Sequence, residues 1–392
     1  MPNIQVNNIE KIKLPFKSEG FFFGDSFKSV NSDRLLIPVS VDDSSEFFLE
    51  IKKREKNYII KADKLTMPPI NIVHQSIEKL ISNSKLLPTF SNINSKNSRV
   101  KDFEHLKNIE YFHNEFKTDR EIWVEVGFGS GKHLLHLALQ NPDIQFIGIE
   151  IHKYSIEQVL KQIKLQGIKN LLVIDYDART FLEFLDSNSV GKVFVHFPVP
   201  WDKKAHRRVI NTNFIDECSR VLKQSGELHL RTDSIKYYEY CYELFINMNK
   251  VNMNIHKNQD LQVVSKYESR WRKMEKNIFD IYFKNDIVSE VQPKQAPLDF
   301  DKNYNKTKII ENFKDTTIIE DDFFIHLEDL FLNKNNDAMI KVSFGSMQNH
   351  EHKYIEIKDN TTSFFNEKIL PTKTNIKAYT KIQETLSQME IK

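Results

Sequence analysis

Three carboxylates and a glycine-rich turn are the residues of this chain whose types and spacing could hold a small cationic ligand. The stretch Glu125-Val-Gly-Phe-Gly-Ser-Gly131 places an acid two residues before the first of three alternating glycines, Gly127, Gly129 and Gly131. Glycines let a backbone turn tightly and approach a ligand, and a helix start beyond them offers free N–H groups. A phosphate-cradling loop needs glycine at Val126 and a hydroxyl at His133, and a dinucleotide fingerprint needs glycine at Lys132, so neither motif is present. Glu125 would repel a pyrophosphate and attract an ammonium. Glu150, after "FIGI", is placed to accept from ribose hydroxyls, and Asp177, after "VIDY", from an exocyclic adenine amine. S-adenosylmethionine carries an ammonium, a ribose and an adenine, and is the cofactor these carboxylates suit. Surface acids beside a structural glycine turn are the plainer alternative.

A second constellation is "HFPVPWDKKAHRRV", His196–Val209. Pro198 and Pro200 stiffen an elbow. Phe197 and Trp201 offer faces on which an exposed base could stack. Lys203, Lys204, Arg207 and Arg208, with His206, suit phosphate contacts. Without further context the basic run equally fits a solvated surface, and Trp201 equally fits core packing. The two cysteines, Cys218 and Cys241, give neither a disulfide framework nor a metal-binding spacing, and are expected to be buried helix residues.

These residues need a scaffold that brings strand ends together. "EIWVEVGFG", "IQFIGIEIH", "NLLVIDYDA", "GKVFVHFPV" and "GELHLRTD" read as apolar strands, alternating with the helical patterns "GKHLLHLALQ", "SIEQVLKQIKLQ", "RTFLEFL", "NFIDECSRVLKQSG" and "SIKYYEYCYELFINM". Such alternation predicts an α/β fold, a parallel sheet covered by helices on both sides, with ligands beyond the carboxyl ends of the strands. Residues 1–110 and 286–392 instead show apolar–polar alternation, as in "RLLIPVSV" and "HKYIEIKD", and are expected to be β-rich extensions of a 118–285 catalytic domain. They could pack together as one module, either gripping RNA or serving as a structural appendage. The 392 residues carry a formal net charge of +2, so a polyanionic partner must be argued from local clusters. The N-terminal "MPNIQVNNIEKIKLPF" lacks a signal-peptide pattern, and no apolar run reaches the roughly 20 residues of a membrane span. A cytoplasmic protein without a membrane partner is expected.

The motifs "EVGFGSG", "FIGIEIH", "DYDA", "HFPVPWDKKAHRRVI", "ELHLRTD" and "SKYESR" together resemble, in order and spacing, the bacterial tRNA (guanine-N7-)-methyltransferases over about residues 118–285. The resemblance implies a seven-stranded, Rossmann-like methyltransferase sheet. It implies methyl transfer from S-adenosylmethionine to guanine N7 in the variable loop of tRNA. It places Glu125, Glu150 and Asp177 at cofactor carboxylates. Lys203, Asp233, Ser265, Lys266, Tyr267, Glu268 and Arg270 fall at substrate-contacting positions, with Arg207 and Arg208 in the basic run. Ser265 and Tyr267 stand where the family usually has Thr and Phe. The larger departure is Val199, where the family carries an acid between the prolines. Guanine N7 has an in-plane lone pair and needs no deprotonation, so that acid would hold a guanine edge, and Asp202 is the candidate to replace it. Phe197 stands where amino-group methyltransferases have Asn or Asp, which disfavours that chemistry. The competing expectation is a weak or inactive tRNA-binding protein on a methyltransferase scaffold.

Overall fold

A computed structural model describes residues 2–41, 45–66, 68–93, 104–260, 274, 276–347, 350–359, 361–366 and 368–391. The chain forms two compact units, one of residues 102–295 and one in which 1–101 joins 296–392.

The 102–295 unit carries the site. Its strands are β1 (Ile122–Val126), β2 (Gln145–Glu150), β3 (Leu171–Asp175), β4 (Val190–His196), β5 (Leu222–Thr232), β6 (Met253–Lys257) and β7 (Phe279–Lys284). They lie in the order β6-β7-β5-β4-β1-β2-β3, with Leu106–Lys107 added beside β3. β1 to β5 run parallel, and β7 is antiparallel to both β5 and β6. Strand order therefore reverses at β1, which has β2 on one side and β4 on the other. A crevice opens at such a reversal, beyond the carboxyl ends.

Helices α1 (Lys132–Gln140), α2 (Lys153–Gln166), α3 (Ala178–Phe181), α4 (Thr212–Val221) and α5 (Ile235–Ile246) connect the strands. Leu134, Leu135 and Ala138 of α1 and Val159, Leu160 and Ile163 of α2 pack with Phe146, Leu171 and Val173 of the sheet. On α5, Phe245 is buried and stacks on Phe283 of β7 at 5.3 Å. Burying each such side chain is worth about 1.5–3 kcal/mol. Helix α4 stops at Val221, before the predicted glycine stop, because Leu222 already pairs with Val190 as the start of β5. The "RTFLEFL" helix is one short α-turn followed by the 3₁₀ turn Leu182–Phe184.

The other unit is β-rich. Among the described residues its sheet has 13 strands. The antiparallel strands Arg34–Val41, Ser45–Lys53 and Tyr58–Ala62 come from the N-terminal part, and Phe324–Leu332, Ala338–Gly345 and His350–Lys358 from the C-terminal part. Phe27–Ser29 joins them, pairing with Arg34–Val41 and with Phe324–Leu332. Ser29 Oγ donates to Asp329 at 2.9 Å and Arg34 closes an ion pair to the same carboxylate at 2.7 Å. Helices Ile70–Asn83 and Lys373–Ile391 cover apolar faces of this sheet. Among the described residues no helix is long and apolar enough to cross a membrane.

Candidate active site

The turn after β1 takes its shape from three left-handed glycines, with φ of 68° at Gly127, 52° at Gly129 and 66° at Gly131. A Cβ built at Gly127 would meet no atom within 4 Å, whereas one at Gly131 would lie 2.2 Å from Val159 Cγ2. Gly131 thus lets α1 close on α2, and Gly127 leaves one side of the turn bare for a ligand. Glu150, ending β2, ties the turn down. Its Oε2 accepts from Gly129 N at 2.9 Å, and its Oε1 accepts from Ile151 N at 2.9 Å and His152 N at 3.0 Å. Glu125 is buried on β1, with its Oε2 2.8 Å from His133 Nδ1. Asp177 caps α3 by accepting from Arg179 N at 2.9 Å, and it pairs with the same arginine's guanidinium. The three carboxylates therefore stand at or just beyond the carboxyl ends of β1, β2 and β3, near a turn whose three glycines lack Cβ atoms. That donor and acceptor set fits S-adenosylmethionine. Asp175 also belongs here, although sequence reasoning passes over it. It sits opposite Glu150 in the β2–β3 register, and partial desolvation at the strand end, opposed by Lys153 and reinforced by Glu150, raises its carboxyl above the ordinary value. The signal was the first acid of "DYDA".

β4 ends in the elbow. Phe197 N donates to Arg231 O at 2.7 Å, the last sheet-like bond before the chain turns away. Phe197 (φ 51°) and Trp201 (φ 46°) both adopt left-handed backbone, which costs a bulky L-residue about 1–2 kcal/mol. The two prolines between them are part of what holds that shape. At the tip, Val199 is 59% exposed and Trp201 36%. Arg207 lies over the Trp201 ring at 5.2 Å, and Lys203, Lys204 and His206 are exposed beside it. Arg208 differs, being buried with its Nε donating to Pro200 O at 2.9 Å. Asp202 is exposed, with Oδ1 3.9 Å from Arg208. Asp233, just past β5, pairs with Lys276 at 2.9 Å. Ser265, Lys266, Tyr267, Glu268 and Arg270 lie outside the described residues. Cys218 and Cys241 are buried in α4 and α5, and burial pushes both thiols up, Cys241 to about 12, which removes them as nucleophiles.

A chain of imidazoles at the ends of β4 and β5 went unread in the sequence. His196 Nε2 is 2.9 Å from His229 Nδ1, and His229 Nε2 is 2.8 Å from Asp280 Oδ1. Asp280 accepts from Arg231 Nη1 at 2.6 and 2.7 Å. His133 faces His196 with ring centres 4.5 Å apart, which continues the line to Glu125. An ionised Asp280 makes His229 Nε2 the proton carrier, so His229 Nδ1 accepts from His196; the network assigns these protons. Burial, with the neighbouring His229, His133 and Arg231 cations or imidazoles, pushes His196 well below the ordinary histidine value. His229 is lowered by burial too, against the opposing pull of Asp280. Both rings are neutral near pH 7.

A methyltransferase family, described as "Putative methyltransferase", matches residues 119–281. Over nearly the whole chain the sequence is similar to proteins named tRNA (guanine-N(7)-)-methyltransferase. The Wolinella succinogenes protein is 38% identical, covering 99% of this chain and 100% of that protein. The Campylobacter jejuni protein is 37% identical, covering 98% of each. The Helicobacter hepaticus protein is 35% identical, covering 99% of this chain and 100% of that protein. Among solved structures, one described as "Structure of an antibiotic related Methyltransferase" is 17% identical with a TM-score of 0.35, covering 45% of this chain and 92% of that one.

Proposed function

The chain belongs to the tRNA (guanine-N(7)-)-methyltransferase family, and we propose that it transfers the methyl group of S-adenosylmethionine to N7 of a guanine in the tRNA variable loop, in the cytoplasm. The observation that carries the site assignment is the bare glycine turn ringed by Glu125, Glu150 and Asp177, one strand away from the Pro198–Pro200 elbow. The cofactor supplies a methyl carbon on a sulfonium, activated without help from the protein. Glu125 attracts its ammonium, Glu150 accepts from the ribose and Asp177 from the adenine amine. The guanine N7 lone pair is free at neutral pH, so the protein's task is to align it, and alignment lowers barriers by up to roughly 7–11 kcal/mol. Trp201 stacks a base, and Lys203, Lys204 and Arg207 hold phosphates. Asp233, Ser265, Lys266, Tyr267, Glu268 and Arg270 contact the tRNA as in the family. Asp202 accepts from the guanine ring N–H and amino group, the part that Val199 cannot play.

One observation favours a second reading, an inactive tRNA binder: an exposed valine occupies the acid's place in the elbow. Incubation with methyl-labelled S-adenosylmethionine and unmodified tRNA, followed by nucleoside analysis, separates the two. Labelled 7-methylguanosine is expected, and tight tRNA binding without label would establish the second reading. Asp202→Ala should lower kcat/KM by about 10- to 200-fold, with Val199→Asp restoring it. Wild-type activity in Asp202→Ala would remove Asp202 from the site.

A further inference from the structure

Lys203, Lys204 and Arg207 face solvent, but Arg208, in the same basic run, is 9% exposed. Its guanidinium group makes contacts at its edge and over its face. Nε donates to the Pro200 carbonyl at 2.9 Å. Its Cζ lies over the Tyr240 ring at 4.2 Å from the centre and over the Tyr237 ring at 5.6 Å, both on α5. One amino nitrogen reaches to 3.9 Å from Asp202 Oδ1. These contacts meet the elbow at its second proline and at the acid beyond it. Left-handed backbone at two aromatic residues, Phe197 and Trp201, persists only where the surroundings over-determine it. Arg208 ties that backbone to α5, an element anchored in the core by Tyr237 and Phe245.

We propose that Arg208 is a positioning residue that clamps the elbow and orients the Asp202 carboxylate toward the guanine, and is not a tRNA phosphate contact. The proposal rests on the assignment of the elbow and Asp202 to guanine holding. A phosphate that drew the guanidinium out of this seat would break the Pro200 bond and the ring contacts together. Arginine suits the clamp because one rigid plane donates from its edge while stacking by its face, which the point charge of lysine does not reproduce. A phosphate contact would keep its charge, and with it the salt slope, from lysine. The two roles therefore respond in opposite ways to conservative substitution.

The experiment uses the full chain and compares Arg208→Lys, Arg208→Gln, Tyr240→Leu, Arg207→Gln and Asp202→Ala. Each is measured for kcat and KM on tRNA, for the salt dependence of tRNA binding, and for S-adenosylhomocysteine affinity. For a clamp, Arg208→Gln keeps the wild-type log–log salt slope while kcat falls by about 10- to 100-fold. Arg208→Lys fails to restore kcat, Tyr240→Leu lowers it in the same direction, and S-adenosylhomocysteine affinity stays within about twofold in all three. Arg207→Gln, by contrast, should flatten the slope by about 0.7–0.9. A flattened slope in Arg208→Gln, or near wild-type kcat in Arg208→Lys, overturns the proposal. If neither Arg208 variant folds, Tyr240→Leu decides, and an unchanged kcat there overturns it. Loss of kcat in Arg208→Lys beside normal turnover in Asp202→Ala would reject the Asp202 assignment and keep the clamp on the elbow. The reverse pattern would keep Asp202 and reject the clamp.

Discussion

At the scale of single residues, Glu150 was legible as a strand-end acid because it directly follows an apolar run, and Asp177 as an acid two residues beyond the end of β3. The imidazole chain was not, because its members are far apart in sequence and meet only through register. Arg231 lies opposite His196 across β4–β5 and opposite Asp280 across β5–β7, and Tyr282 opposite His229. That chain makes stability depend on pH. His229 is buried and His196 half-buried, both neutral and facing His133, Glu125, Arg231 and Asp280, with their protonation disfavoured in the fold. The unfolded chain binds protons at these histidines near the ordinary value of about 6.5. Below that value the unfolded state holds more protons, so stability is full above about pH 6.5 and falls as pH descends. Each histidine contributes a slope of up to about 1.4 kcal/mol per pH unit until its folded-state pKa is reached. Urea midpoints between pH 7.5 and 5.5 should therefore fall more steeply in wild type than in His229→Gln, whose amide does not titrate. Equal slopes would show that the rings carry no such linkage.

At the scale of elements, the five parallel strands and their helices were legible because strands buried on both faces read as unbroken apolar runs. β6 was not, since Met253–Lys257 is an edge strand with mostly exposed side chains and leaves no apolar signature. Nor did the pattern distinguish among the glycines, which share left-handed φ but have different surroundings. Gly131 sits where α1 meets α2, and Val159 Cγ2 occupies the place a methyl group would need. Gly131→Ala adds backbone strain of about 1–2 kcal/mol to overpacking of typically 1–3 kcal/mol. Gly127→Ala carries the first cost alone, because its Cβ would meet open space. Denaturant titration should rank Gly131→Ala as the less stable variant by about 1–3 kcal/mol. S-adenosylhomocysteine affinity should fall in Gly127→Ala, whose new methyl group projects into the bare side of the turn. Equal stabilities would mean that α2 yields freely at Val159.

For the whole molecule, alternation in the flanks revealed strands, but the pairing of Phe27–Ser29 with Phe324–Leu332 joins segments about 300 residues apart, and no local pattern encodes that. The result is a chain of two units with their own buried cores: among the described residues, one holds an apolar cluster between α1, α2 and the parallel sheet, and the other holds separate clusters against the β-rich sheet. Two cores of this size need not melt as one cooperative unit. The carboxylates proposed to hold the cofactor, Glu125, Glu150 and Asp177, all lie in the 102–295 unit, so a cofactor product should stabilise that unit directly. At a free concentration of about 100 times its Kd, S-adenosylhomocysteine adds about 2.7 kcal/mol. For a unit of about 150–250 residues that corresponds to a shift of roughly 5–11 °C. The sequence supplies a selective probe, because Trp123, Trp201 and Trp271, the chain's 3 tryptophans, all fall between residues 102 and 295. Tryptophan fluorescence should report the ligand-shifted transition, while calorimetry shows a second transition that stays in place. A single transition, or an equal shift of both, would show that the two cores unfold together.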